Sequence, residues 1–136
     1  MISVSDTKDR IPPKIYLLLY VISFTIIFLF SMFIRVPGYM DAEYYFLGGL
    51  NLASGNGFSV MILWNYLDDP VGLPNYSHTY WMPLPSIITS IGLLFRNNSF
   101  FFGKLPFIFL AAVIPVISTG ISFSVSKNRK YVLLSG

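Results

Sequence analysis

Residues 15–34 read IYLLLYVISFTIIFLFSMFI, twenty positions without a charge, bracketed by Lys14 and Arg35. At 1.5 Å per helical residue such a run covers about 30 Å, the thickness of a bilayer's hydrocarbon core. A secretory signal carries a shorter apolar region, about 7–15 residues, closing on small residues. This one closes on Phe33-Ile34-Arg35, so the run is expected to be a retained membrane span. A second stretch, Leu105–Val125, holds twenty-one residues with no charge and an internal Pro115, where a bend is expected. Lys127-Asn128-Arg129-Lys130 closes it, and Tyr131-Val132-Leu133-Leu134 reads as the opening of a third span.

Composition agrees with those two runs. Of 136 residues, 54% are hydrophobic and 11% charged, where soluble domains run near a quarter charged. The net charge of +3 is scattered, without the basic, aromatic-interleaved surface of a nucleic-acid binder, so nucleic acid is not an expected partner. The chain has no cysteine, which excludes disulfides, thiolate metal sites and a cysteine nucleophile.

The segment between the runs differs in kind. It holds four of the six acidic residues, the single His and both Trp. Asp41–Ser54 is expected to be a helix, with Asp41 as N-cap, Glu43 in the positive first turn and Gly55 as the stop. Asn56–Tyr80, rich in turn residues, reads as an ordered loop in which Asp68 and Asp69 precede Pro70. Met82–Phe95 is apolar but too short to cross comfortably. Ser86, Thr89 and Ser90 share one face, which favours a helix lying at the membrane interface.

Basic residues orient the chain. Lys8, Arg10 and Lys14 cluster before the first run and Lys127, Arg129 and Lys130 after the second, and positive clusters favour the cytoplasm. The expected organisation is all-α integral membrane protein: a cytoplasmic tail at 1–14, spans at 15–34 and 105–125, and an extracytoplasmic loop with juxtamembrane helices at 35–104. A cytoplasmic turn at 126–130 and a truncated third span at 131–136 complete it.

No Walker loop, serine-triad signature, Rossmann glycine pattern or metal-ligand cluster is present. The chemically suggestive element is Pro37-Gly38-Tyr39-Met40-Asp41-Ala42-Glu43-Tyr44-Tyr45, directly after the first span. A carboxylate there can take a proton from an attacking hydroxyl or amine as general base. The plainer alternative is that Asp41 caps the helix while Glu43 serves its dipole.

The order of several further elements resembles the GT-C membrane glycosyltransferases, in particular the protein O-mannosyltransferase group and the bacterial lipid A aminoarabinose transferases. These are the acidic pair followed by Tyr44-Tyr45, then Leu52-Ala53-Ser54-Gly55-Asn56-Gly57-Phe58. Ser77-His78-Thr79-Tyr80-Trp81-Met82-Pro83-Leu84 follows, then Phe102-Gly103-Lys104-Leu105-Pro106. Lys104 stands where those enzymes carry Arg, and Met82-Pro83 where they carry Pro-Pro. Leu63-Trp64-Asn65-Tyr66-Leu67-Asp68-Asp69-Pro70 also resembles bacterial members.

The resemblance implies an N-terminal piece of a longer enzyme, in a bacterial plasma membrane with its N-terminus cytoplasmic. It implies transfer of a sugar from a polyprenyl-phosphate donor to a glycan, lipid or protein acceptor outside. Asp41 and Glu43 would be the catalytic carboxylates. Lys104 and His78 would contact the donor phosphate, and Tyr80 and Trp81 the sugar or the interface. It implies no certain cofactor and leaves the need for a divalent metal open. A small non-catalytic membrane protein and a transporter subunit are the competing classes; a transporter more often carries charges within its spans, and these runs have none.

The topology has a direct check. Single cysteines introduced at Ser99 and Ser126 are expected to react oppositely with a membrane-impermeant thiol reagent on intact cells: Ser99 labelled, Ser126 protected. The reverse pattern overturns the orientation.

Overall fold

Helices dominate the computed structural model, which describes residues 11–62 and 72–126. In chain order they are α1 (Pro13–Ser31), α2 (Met40–Ala53), α3 (Leu84–Leu93) and α4 (Phe100–Ser126), with two short strands, β1 (Ser59–Val60) and β2 (Asn75–Tyr76), between α2 and α3. The expected tail before residue 11, the Leu63–Pro70 stretch, the basic cluster at 127–130 and the start of a third span lie outside the described residues. The chain divides into two units, residues 1–31 with 108–136, and residues 32–107.

Two helices, α1 and α4, are long and apolar enough to cross a membrane. α1 has 19 residues and α4 has 27, about 28 and 40 Å. Their limits differ from the charge-free runs. α1 begins two residues earlier, at Pro13, because proline suits a first helical turn, where its missing N–H costs nothing. It ends at Ser31, whose hydroxyl donates to the Phe28 carbonyl at 2.7 Å. α4 begins five residues before Leu105 and takes Gly103 and Lys104 into the helix, continuing through Pro106 and Pro115 to Ser126. A single cation near a helix end is a small obstacle to helix formation, so the change in hydropathy does not mark the helix start. In the first unit, Phe24 of α1 packs on Phe109 of α4 with ring centroids 4.9 Å apart, and Ala112 and Thr119 are wholly buried. Many of the other large side chains of both helices are exposed, Phe30 by 71% and Val125 by 82%.

The second unit is built on the packing of α2 against α3. Gly48 and Gly49 cost α2 about 1 kcal/mol each in helix propensity, and the neighbouring helix explains them. A Cβ on Gly48 would stand 2.6 Å from Ser86 Oγ, and one on Gly49 would stand 2.7 Å from Thr89 Cβ. Only hydrogen fits between these helices. Ser86, wholly buried, donates from its hydroxyl to the Tyr45 carbonyl at 2.9 Å. The face of α3 that the sequence marks as polar is therefore its packed face, formed by Ser86, Thr89, Gly92 and Leu93. Ile87, Ile91, Leu94 and Phe95 are exposed. α3 is also shorter than the expected Met82–Phe95, since Pro83 and Leu94 form its caps.

α2 starts one residue before the expected point. Tyr39, in extended conformation, is the N-cap and makes no side-chain capping bond. Asp41 is thus the second helical residue, not the cap, because the chain leaving Gly38 already turns at Met40. The C-terminal reading holds. Gly55 takes φ +80°, its N–H donates to Leu52 O at 3.1 Å and that of Asn56 to Asn51 O at 2.9 Å, the paired bonds of a Schellman motif. Within the expected loop, β1 and β2 pair antiparallel, Ser59 opposite Tyr76. Asn51 donates from its side-chain amide to the Ser59 carbonyl at 2.6 Å, tying this pair to α2.

Glycine substitutions read this packing directly. Gly92→Ala would drive a methyl into the Phe102 backbone carbonyl, and Gly49→Val would drive one into Thr89. Each is expected to lose about 1–3 kcal/mol, the usual cost of overpacking, in helix melting followed by circular dichroism in detergent. Gly38→Ala, with nothing within 4 Å, is expected to melt as the parent does. Equal melting of all three would refute the close approach.

Candidate functional site

The second unit contains an aromatic cavity of about 390 Å³. Tyr39, Tyr45 and Phe46 supply rings from the α2 side, and Phe100 and Phe107 from α4. Small residues make the space. Ala42 lines one wall, and a Cβ on Gly103 would stand 3.1 Å from the Phe46 ring and 3.2 Å from Thr89 Cγ2. Among the described residues, Lys104 is the one charged residue lining it. Its ammonium donates to the Ile34 carbonyl at 2.7 Å and lies 5.5 and 5.6 Å from the Phe100 and Phe101 ring centroids. That geometry keeps a cation among rings, by cation–π attraction and a charge-assisted hydrogen bond.

Asp41 and Glu43 are exposed on the first turn of α2, on either side of Ala42 in sequence. Neither lines the cavity. Their charges suit the positive end of a helix, and both remain open to an incoming molecule.

His78 lies elsewhere. Its φ of +62° is left-handed, a region histidine enters more readily than most residues. Its backbone N–H donates to the Tyr44 hydroxyl at 2.6 Å. The ring stacks on Tyr45 at 6.3 Å and meets Tyr44 and Phe58 edge-on at 5.2 and 5.6 Å. Gly48 leaves room for it, since a Cβ there would approach Nε2 to 3.0 Å. Both ring nitrogens are buried, and neither makes a hydrogen bond of acceptable geometry. Burial pushes the His78 pKa down, and the nearby Trp81 backbone only partly opposes this. The ring is therefore held neutral, turned into an aromatic cage.

Trp81 is half-buried with its ring 5.3 Å from that of Tyr44, while Tyr80 is 57% exposed. The residues singled out from sequence thus fall into three places: an exposed acidic turn, an aromatic cage around His78, and Lys104 beside the cavity. Of the cavity-lining rings, Tyr39 and Tyr45 belong to the stretch quoted after the first span, whereas Phe46, Phe100 and Phe107 were not singled out. Their only sequence signal was the high aromatic content, 13 Phe and 9 Tyr, which does not say which rings converge. Among the described residues, no group of three His, Cys, Asp or Glu side chains is placed to hold a metal.

No protein-family model matches the chain, and no curated protein or solved structure matches it.

The caged histidine carries a pH prediction. Its folded pKa lies below the ordinary 6.5, so below that value the unfolded chain binds more protons than the folded one. Its contribution to stability is whole above about pH 6.5 and is lost as pH falls towards the folded value. His78 is the only histidine and there is no cysteine, so few other side chains titrate in this window. The melting temperature is expected to drop between pH 7.5 and 5.5, and the drop to flatten in His78→Asn, which tolerates the same φ without titrating. An unchanged drop in that variant would clear His78.

Proposed function

We propose that the chain is an integral membrane polypeptide whose middle segment, outside the cytoplasm, binds a polyprenyl-phosphate sugar and takes part in transferring that sugar to an acceptor. The observation that carries the reading is the aromatic cavity beside Lys104. Rings and small residues suit the first isoprenoid units. A lysine on a flexible four-carbon stem can place positive charge on the phosphate that departs. The membrane placement is supported by α1 and α4, whose exposed surfaces are apolar on nearly every side; such helices require apolar surroundings.

In this reading the acceptor oxygen or nitrogen attacks the anomeric carbon while the bond to the donor phosphate breaks. Asp41 takes the acceptor's proton, with Glu43 as the second carboxylate available on that turn. The leaving phosphate keeps the bonding electron pair, and Lys104 offsets its charge. His78, held neutral and enclosed, serves as packing for the segment carrying Tyr80 and Trp81 rather than as a phosphate ligand. The order of motifs shared with GT-C glycosyltransferases adds to this reading.

Asp41→Asn separates chemistry from helix electrostatics. A charge on the first turn is worth about 0.3–1 kcal/mol in stability, whereas loss of a general base costs about 10²–10⁴-fold in rate. In a full-length protein containing this segment, transfer of labelled sugar from a polyprenyl-phosphate pool is expected to fall by at least 10²-fold at near-normal expression. Activity within a few-fold of the parent would remove Asp41 from the mechanism. Binding of fluorescent polyprenyl phosphate is expected to survive Asp41→Asn and to fall about tenfold in Ala42→Leu, which fills the cavity.

A further inference from the structure

A second cleft, of about 330 Å³, lies beside the segment 32–35. Arg35 and Lys104 are its cations, Asn98 and Ser99 its neutral polar residues, and Met32 and Ile34 its apolar wall. None of the residues lining it is acidic. Two like charges in one cleft repel, the more so where rings displace water. Lys104 is also the fifth residue of α4, near a helix end whose partial charge is positive and disfavours a cation. The Ile34 carbonyl, 2.7 Å from the ammonium, offsets part of this cost and fixes where the charge sits. It is a dipole and leaves the net charge of the cleft unchanged.

The arrangement suits an anion with a particular surrounding. Arg35 is exposed and makes no hydrogen bond or ion pair among the described residues. Its planar fork of donors matches two oxygens of one phosphate. Asn98, at φ +59°, has its backbone N–H bonded to Asn97 Oδ1, which leaves its own side chain beside the cleft. The flanking apolar residues are open: Met32 is 49% exposed, Phe33 84% and Ile34 54%. A small inorganic anion would use the cations and leave this apolar surface in water. A phosphate carrying hydrocarbon chains would cover both.

We propose that Arg35 and Lys104 form a binding cleft for the phosphate head group of an anionic membrane lipid; the cleft shares Lys104 and Phe100 with the aromatic cavity and differs from it by Arg35, Asn98 and Ser99. Phosphate oxygens bridge the two cations and remove their repulsion, while the acyl chains run along Met32, Phe33 and Ile34. The bound lipid anchors the segment following the first apolar helix at the depth of the head groups. The inference rests on the membrane placement argued above, and not on glycosyl transfer.

The test uses the full chain, purified in detergent and immobilised, with labelled phosphatidylglycerol and labelled diacylglycerol of the same acyl chains. Retention of phosphatidylglycerol is expected to exceed that of diacylglycerol by about tenfold, to fall to the diacylglycerol level in Arg35→Gln, and to survive in Lys104→Arg. Arg35→Gln decides, since that side chain has no bond to lose among the described residues. Lys104→Gln also breaks the contact with Ile34, so its helicity is checked by circular dichroism. Equal retention of the two lipids, or undiminished phosphatidylglycerol retention in Arg35→Gln, overturns the proposal. Inorganic phosphate binding as tightly as the lipid, and displacing it, would overturn the lipid as the ligand. Ala42→Leu is expected to lose polyprenyl phosphate while keeping phosphatidylglycerol. Failure of the transfer reading alone therefore leaves this result standing, whereas a chain that partitions wholly into the aqueous phase would sink both.

Discussion

The approach of α2 to α3 at Gly48 and Gly49 sets most of what residues 32–107 can do. With Ser86 Oγ and Thr89 Cβ standing 2.6 and 2.7 Å from where side chains would begin, the helices meet almost backbone to backbone. The Ser86 bond to the Tyr45 carbonyl fixes their registry. Because the small residues lie at the contact, the rings of α2 are displaced to its edges. Tyr45 and Phe46 then border the cavity, while Tyr44 and Tyr45 enclose His78. One steric constraint produces both aromatic environments. A larger residue at either glycine would move the two together.

The same contact turns α3 inside out by the standards of a water-soluble helix. Its Ser86 and Thr89 are buried and its Ile87 and Ile91 exposed, which in water would forfeit the burial that normally docks a helix. In an apolar solvent the arrangement is favourable. Hydroxyls find partners between helices, small residues allow close packing, and branched side chains face hydrocarbon. α1 and α4 make the same demand along their lengths. Two features thus favour the proposed membrane placement, the length of two apolar helices and the exposed apolar face of a third. The second does not depend on any helix being long enough to span.

The long helices were legible because hydropathy alone decides them. Their ends were not: Pro13 and Phe100 start helices for local reasons that a charge count misses. The C-terminal stop of α2 could be read from Gly55, since few other residues take its φ without strain. Its start was misassigned because a good capping residue, Asp41, lies two positions after the residue that serves as the cap. The polar face of α3 was taken as the mark of a helix lying at the membrane interface, whereas Ser86 and Thr89 of that face meet α2. Periodicity gives a face, and only the partner's glycines say what covers it. Convergence of residues far apart in sequence, such as Tyr39, Phe46 and Phe107 around one cavity, leaves no periodic trace.

Placement also distributes the charged residues in a way the sequence could not. Asp41 and Glu43 occupy an exposed helical turn, where they stay reachable. Lys104 is drawn against a carbonyl and two rings, and Arg35 lines the same cleft. In the transfer reaction proposed above, the two sets serve different parts of a ligand: a proton to be accepted at one end, a phosphate to be held at the other. Asp41 and Glu43 draw compensation from the helix dipole, and Lys104 draws part of its own from Ile34 and the rings. The histidine, held neutral in its cage, adds charge to neither side.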